Sequence, residues 1–306
     1  MRSLLLAVAL FGLVHPGSKL LLDSGLSLEA FCLGTIGLRA LALFPVAWAK
    51  GALPIASAKH AFLLALLGGV GALLQISEFV GIDDGVPVST VSFLIYSYPV
   101  WILFIGRFVN GDAVTGAGIA KALVSLGGVL AIVTAGAAAL GSASQLLAPI
   151  AASLFMALWI CLSSAIRQDG AHPLGISLYY DLTALFFIFA YVFAKGGWPS
   201  AASDLAWLSS GVNVARLAIY AVLIGLVPNL LFFHASRSVP ALTSGLVLLM
   251  EPVISTVVSH AAWGDELGPV FALGAGLILA ANLPFETWIA RVPAPVDETL
   301  ELRGVK

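Results

Sequence analysis

Charge is what this sequence has least of. Only 10% of its 306 residues are Asp, Glu, Lys or Arg, against about 25% in a typical soluble domain. A chain so poor in charge cannot dress a water-facing surface. The signs nearly balance, 14 basic against 16 acidic residues for a formal net charge of −2, so the basic patch that nucleic-acid binding requires is missing. Cysteine is also scarce: Cys32 and Cys161 both fall inside apolar runs, which excludes a disulfide framework or a cysteine metal cluster. No cofactor or metal is expected. What is abundant is apolar surface: 60% of residues are hydrophobic and the mean hydropathy is +1.05. These values define a polytopic membrane protein.

A bilayer core of about 30 Å takes about 20 helical residues. Ten such runs, bounded by charges and turn residues, are predicted near 3–22, 28–48, 60–80, 86–106, 113–133, 146–166, 175–194, 213–233, 240–261 and 267–288. A β-barrel would need short segments of alternating polarity, and stretches such as Leu63-Leu64-Ala65-Leu66-Leu67 do not alternate. Turn clusters such as Asp23-Ser24-Gly25, Asp83-Asp84-Gly85 and Asn110-Gly111-Asp112 separate the runs, and the longest connection, 195–212, is read as a loop. The first run is read as an uncleaved span interrupted at His15-Pro16, since no small-residue cleavage site follows it. With the N-terminus inside, Arg2, Lys50, Lys59, Arg107, Arg167, Arg237, Arg291, Arg303 and Lys306 are cytoplasmic, whereas Lys195 and Arg216 are outside. That asymmetry predicts both termini in the cytoplasm.

The two halves match without gaps at an offset of 153 residues: Val86-Pro87 with Val239-Pro240, Thr90 with Thr243, Pro99-Val100 with Pro252-Val253, and Gly111-Asp112 with Gly264-Asp265. Apolar composition does not explain the shared Pro, Gly and Asp positions. Five spans per unit is odd, so the second unit enters the membrane inverted, a construction of secondary transporters whose substrate site lies at the repeat interface. The expected fold is therefore all-α: ten transmembrane helices as two inverted five-helix repeats, 1–140 and 141–290, around a central cavity, with a cytoplasmic tail at 291–306.

The chain resembles the drug/metabolite transporter superfamily in its ten-span EamA-type branch. Leu10-Phe11-Gly12 followed by Lys19 is similar to that family's opening aromatic-Gly…Lys pattern, with Phe where Trp is usual. Arg39 fits its second span. Glu251-Pro252, Asp265-Glu266 and the Gly274/Gly276 helix are similar to its most recognisable block. In the first copy Tyr98-Pro99 stands where an acidic-Pro pair would be, so only the proline is shared. Lys19, Glu78, Trp101 and Glu251 look like the pattern of bacterial exporters of aromatic and other amino acids. The resemblance implies a bacterial inner-membrane exporter of small molecules with a central cavity between its two halves; the lipid bilayer is the expected surrounding, no nucleic-acid partner is expected, and a monomer is the expected state.

Charges within a bilayer core are costly and demand a partner or a wet cavity. Glu251, mid-span and followed by Pro252, is a candidate for recognising a substrate amine or carrying a proton; the alternative is an ion pair with Arg39 or Lys121. Glu78 is read in the last turn of span three, at the cavity's outer mouth or simply solvated. Arg39 is read as structural, Lys121 as snorkelling to the cytoplasmic side and Lys19 as snorkelling outward. His15 is either a ligand or a packing histidine. Among the aromatics Phe79, Tyr96, Tyr98, Trp101, Trp159, Tyr179 and Tyr180, Tyr98 and Trp101 flank Pro99 at a spacing of three, which predicts a shared helix face and an aromatic wall opposite Glu251. Tyr179, Tyr180 and Trp198 are read as interface-belt residues. The glycines at 68, 69, 71, 127 and 128 are read as packing positions.

The rival class is an intramembrane enzyme acting on a lipid or peptide. Neither the His-Glu-x-x-His zinc motif nor a Gly-x-Ser-Gly string is present, Tyr180-Asp181 lacks a Gly-x-Gly-Asp partner, and there is no Walker loop. The sequence thus points to a secondary exporter of amino acids or organic cations working by alternating access.

Overall fold

A computed structural model describes residues 2–55, 57–83, 94–135, 143–168, 171–263 and 268–282. All of its regular structure is helical: α1 (Arg2–Phe11), α2 (Val14–Asp23), α3 (Leu28–Ala49), α4 (Ala58–Asp83), α5 (Tyr98–Val109), α6 (Gly116–Ala135), α7 (Ala143–Gln168), α8 (Pro173–Ala194), α9 (Ala201–Leu208), α10 (Gly211–Ile219), a π-helical segment Tyr220–Leu226, α11 (Val227–Ala235), α12 (Ala241–Leu248), α13 (Glu251–Trp263) and α14 (Pro269–Asn282). Among the described residues seven stretches are long and apolar enough to cross a membrane, and three shorter apolar helices accompany them at Tyr98–Val109, Gly116–Ala131 and Pro269–Ala281. The protein is an all-helical membrane protein. The repeat matches at 86–90 and 264–265, the Asp84-Gly85 turn and the 291–306 tail lie outside the described residues.

Three spans are broken, each for a reason visible in its sequence. The first span breaks at Gly12-Leu13, one turn before the position read from His15-Pro16. Pro16 has no N–H to donate back to Gly12, so the chain turns there and restarts with Pro16 in the first turn of α2, where a proline is tolerated. Leu13 instead closes a short turn on the Leu10 carbonyl (3.0 Å). The span preceding Pro252 breaks at Leu249-Met250, between α12 and α13. The chain turns likewise at Tyr96-Ser97, just before Pro99. Pro228 is accommodated differently: the preceding turns widen into the π-helical segment Tyr220–Leu226, the usual way a helix absorbs a local mismatch without ending.

The described helices pack α4 against α7 and α8, α3 against α8 and the π-helical segment, α5 against α7, α1 against α11, and α6 against α14. Glycine permits the closest of these approaches. A Cβ on Gly128 would stand 2.6 Å from the Gly274 carbonyl oxygen, and one on Gly68 2.8 Å from that of Tyr180. The packing role read for Gly68 and Gly128 follows from that geometry. Gly71 differs: it borders a cavity, and a Cβ there would strike the Tyr180 ring at 2.3 Å.

The connection at 195–212 is more than a loop, because it carries α9. Asp204 on α9 is buried and accepts from the Ser27 amide (2.8 Å), the Ser27 hydroxyl (2.6 Å) and Trp198 Nε1 (2.8 Å). Trp207 Nε1 donates to the Ser24 carbonyl at 3.1 Å, and Lys195 lies 3.7 Å from Glu29. Trp198 is thus engaged in this clamp. Asp204→Ala strands several donors, each costing about 1–3 kcal/mol. The thermal midpoint in detergent should fall by several degrees, and an unchanged midpoint would show that the clamp contributes nothing.

Candidate functional site

One cavity of about 190 Å³ lies among the broken helices. That is below the ~300–1,000 Å³ of pockets for drug-sized ligands, a size for a small metabolite. Its walls follow helical spacing. Phe31, Thr35 and Arg39 recur every four residues on α3, and Gly71, Leu74, Gln75 and Glu78 share one face of α4. The break in span one contributes Phe11, Val14, His15 and Ser18; α7 contributes Trp159, α8 Tyr180, the π-helical segment Tyr220, and α11 Asn229. Tyr96, at the turn before α5, and Glu251 complete the lining.

Glu251 is the first residue of α13 and is buried. The broken helix aims its own N-terminal end at this carboxylate, which favours negative charge there, and Tyr96 faces it. Gly12, at the break in span one, passes so close that a Cβ would be 3.4 Å from the Glu251 carbonyl. His15 Nε2 lies 3.0 Å from Glu78 Oε1, and Glu251 is within electrostatic range of both. The cavity therefore has an acidic end made from three separate spans.

Its other polar feature is Arg39, buried and hydrogen-bonded to Asp181 Oδ1 on α8. The guanidinium lies 5.6 Å from the centroid of the Tyr180 ring. The aromatic wall between the two ends is Trp159, stacked on Phe232 at 4.6 Å and set edge-on to Tyr180 at 6.2 Å.

Of the candidates read from the sequence, His15, Glu78, Trp159, Glu251 and Arg39 converge on this cavity. Glu78 is deeper than expected, because α4 continues to Asp83 and turns this carboxylate onto His15. Arg39 pairs with Asp181, not with Glu251: α3 packs on α8, and the arginine is spent there. Tyr98 and Trp101 do not form the expected wall. Tyr98 is fully buried and donates to the Gly245 carbonyl at 2.9 Å, whereas Trp101 is 37% exposed; neither borders the cavity. The kink at Tyr96-Ser97 rotates the face, so the tyrosine two residues earlier lines the cavity instead. Pro99 and Pro252 act through the backbone breaks they accompany. Lys19 pairs with Asp23 at 2.8 Å on an exposed surface, and Lys121 on α6 is away from the lining. The Phe79 side chain lies outside the described residues.

Tyr180 and Tyr179, read as belt residues, both make contacts inside the protein. The first lines the cavity, and the second donates to the Leu53 carbonyl at 2.6 Å. Arg167, counted above as a topological charge, is buried and donates from Nε to the Phe233 carbonyl at 2.7 Å and from Nη1 to the Ala171 carbonyl. Both cysteines are free and buried, as their apolar surroundings implied. The residue that sequence reading passed over is Asp181. It is a carboxylate in mid-span, the same signal that singled out Glu251, but it was weighed only as half of a protease motif.

Comparison with known proteins can be set beside this bundle and its small polar cavity. Residues 143–283 match the EamA-like transporter family. The second half of the chain is thus similar to that family, and the protein is a multi-pass membrane protein. A solved crystal structure is similar over 96% of this chain and 98% of its own, with a TM-score of 0.75 and 15% identity; that likeness concerns the fold. No curated protein sequence matches.

Proposed function

We propose that this protein is a secondary carrier that exports small amine-bearing metabolites, amino acids or organic cations, across the bacterial inner membrane by alternating access. The observation that carries the reading is the acidic cavity end, where Glu251, Glu78 and His15 from three spans meet beside the Trp159 wall. Ionised carboxylates accept hydrogen bonds from an ammonium, and the aromatic face adds cation–π attraction. Transport requires such a site to be reachable from each side in turn.

The inverted-repeat architecture, units 1–140 and 141–290, is part of the same proposal. Two features support it. The turns at Tyr96-Ser97 and Leu249-Met250 fall at equivalent positions under the 153-residue offset. The helix contacts also pair when the units are exchanged: α4 lies on α7 as α11 lies on α1, and α4 lies on α8 as the π-helical segment lies on α3. In this reading both termini are cytoplasmic, as the lysine and arginine distribution favours, and a single chain encloses the whole cavity.

Purified protein in liposomes, assayed with labelled amino acids and organic cations under an imposed pH gradient, tests the function. Uptake of at least one of them above protein-free vesicles is the expected result. No flux for any of them would overturn the proposal.

A further inference from the structure

We propose that the Arg39 end of the cavity receives a carboxylate, so that the cargo is a zwitterion lying between Arg39 and the Glu78–Glu251 end, and not a simple organic cation. This rests on the carrier reading and narrows its cargo.

Arginine presents five N–H donors in a planar fork. Asp181 takes one of them, from Nη2, through Oδ1. Nε is buried without a hydrogen-bond partner, as is Asp181 Oδ2, and Tyr180 is a further neighbour of the guanidinium, while the residue lines the cavity. Asp181 is fully buried and does not border the cavity, so of the pair it is the arginine that borders it. The side chain is also held in place. Its guanidinium rests near Tyr180 at 5.6 Å, and its stem passes Gly225, where a Cβ would lie 2.9 Å from Arg39 Cδ. Asp181 is accordingly a positioning residue for Arg39.

Spare donors in a low-dielectric site are costly unless they meet an acceptor. A carboxylate offers two oxygens in the plane that a guanidinium fork matches. An ammonium offers none, and Arg39 would repel it. At the opposite end the chemistry is reversed: Glu78 and Glu251 accept, and an ammonium donates. Arg39, Glu78, Glu251 and Trp159 all line the same cavity of about 190 Å³, so one small molecule can meet both ends, with its apolar part against Trp159. A molecule bearing only one of the two charges leaves one end unanswered.

The test compares three probes that share a phenyl ring, using the full chain in liposomes: phenylalanine, phenethylamine (no carboxylate) and 3-phenylpropionate (no ammonium). Wild-type protein should move phenylalanine faster than either analogue by about tenfold or more, the worth of one charge-assisted contact. Arg39→Gln should lower phenylalanine uptake far more than phenethylamine uptake, collapsing the preference between them, and Arg39→Lys should keep part of the discrimination. Wild-type uptake of phenethylamine as fast as phenylalanine would overturn the zwitterion assignment while leaving the carrier reading intact. Equal losses for both probes in Arg39→Gln would likewise overturn it, since a purely structural arginine behaves that way. Movement of none of the three by the wild type would overturn this inference; the carrier reading itself falls only if the wider panel of amino acids and organic cations also fails. The wild-type comparison decides even if the Arg39 variants do not fold.

Discussion

Asp181→Ala should destabilise the folded protein by about 3–5 kcal/mol, the cost of leaving one partner of a buried ion pair alone. Asp181 is fully buried on α8, and Arg39 on α3 is nearly so. Their hydrogen bond joins helices that pack along their length. Removing the carboxylate leaves the guanidinium in a low-dielectric interior with its nearest acceptor gone. Asp181→Asn should cost less, because the amide oxygen can still accept. Replacing both residues with apolar side chains of similar volume, as in Arg39→Met with Asp181→Leu, should recover much of the loss in stability. The three variants are ranked by thermal midpoint and by the monodisperse fraction in detergent. Asp181→Ala protein as stable as wild type would show that the pair does not hold α3 to α8.

Glu251→Gln should reduce transport by about tenfold or more, in line with the ~1.5–3 kcal/mol attributed to a hydrogen bond to a charged group. The substitution keeps side-chain volume, the helix start and Pro252, so the protein should still fold. What is removed is the group's ability to ionise or to carry a proton, at the point where the break between α12 and α13 brings a helix N-terminus to the cavity. The neighbouring Glu78 shares its Oε1 with His15 at 3.0 Å, so it does not by itself replace Glu251. Normal thermal stability with impaired uptake is the expected combination. Full uptake with unchanged pH dependence would remove Glu251 from the mechanism.

What the sequence made legible was whatever departs from an apolar background. Scarce charge announced the membrane, and the mid-span Glu251 and Arg39 marked cavity residues. Prolines 16 and 252 marked backbone breaks within a turn of where they occur. What it left illegible depends on how helices rotate against one another. Tyr98 and Trp101 have the right spacing for one face, yet the turn at Tyr96-Ser97 sends Tyr98 into the packed core and Trp101 outward. Arg39 was a clear buried charge, but its partner depended on which helix lies beside α3. Periodicity does not encode that choice. Gln75, Asn229 and Thr35 line the cavity without any sequence signal, since a neutral polar residue in a span costs too little to stand out. The α9 clamp escaped for a similar reason: its buried carboxylate, Asp204, looks like any loop aspartate until the Ser27 and Trp198 donors are seen around it.

The most direct test of a carrier with one cavity served from both sides is counterflow. Liposomes containing the protein are loaded with an unlabelled amino acid found to be transported, then diluted into a trace of the labelled form. A carrier that alternates around the Glu251 cavity will accumulate label transiently above its equilibrium level, and Glu251→Gln will delay and lower the overshoot. Label that rises monotonically to equilibrium in the wild type, as through an open pore, would contradict alternating access.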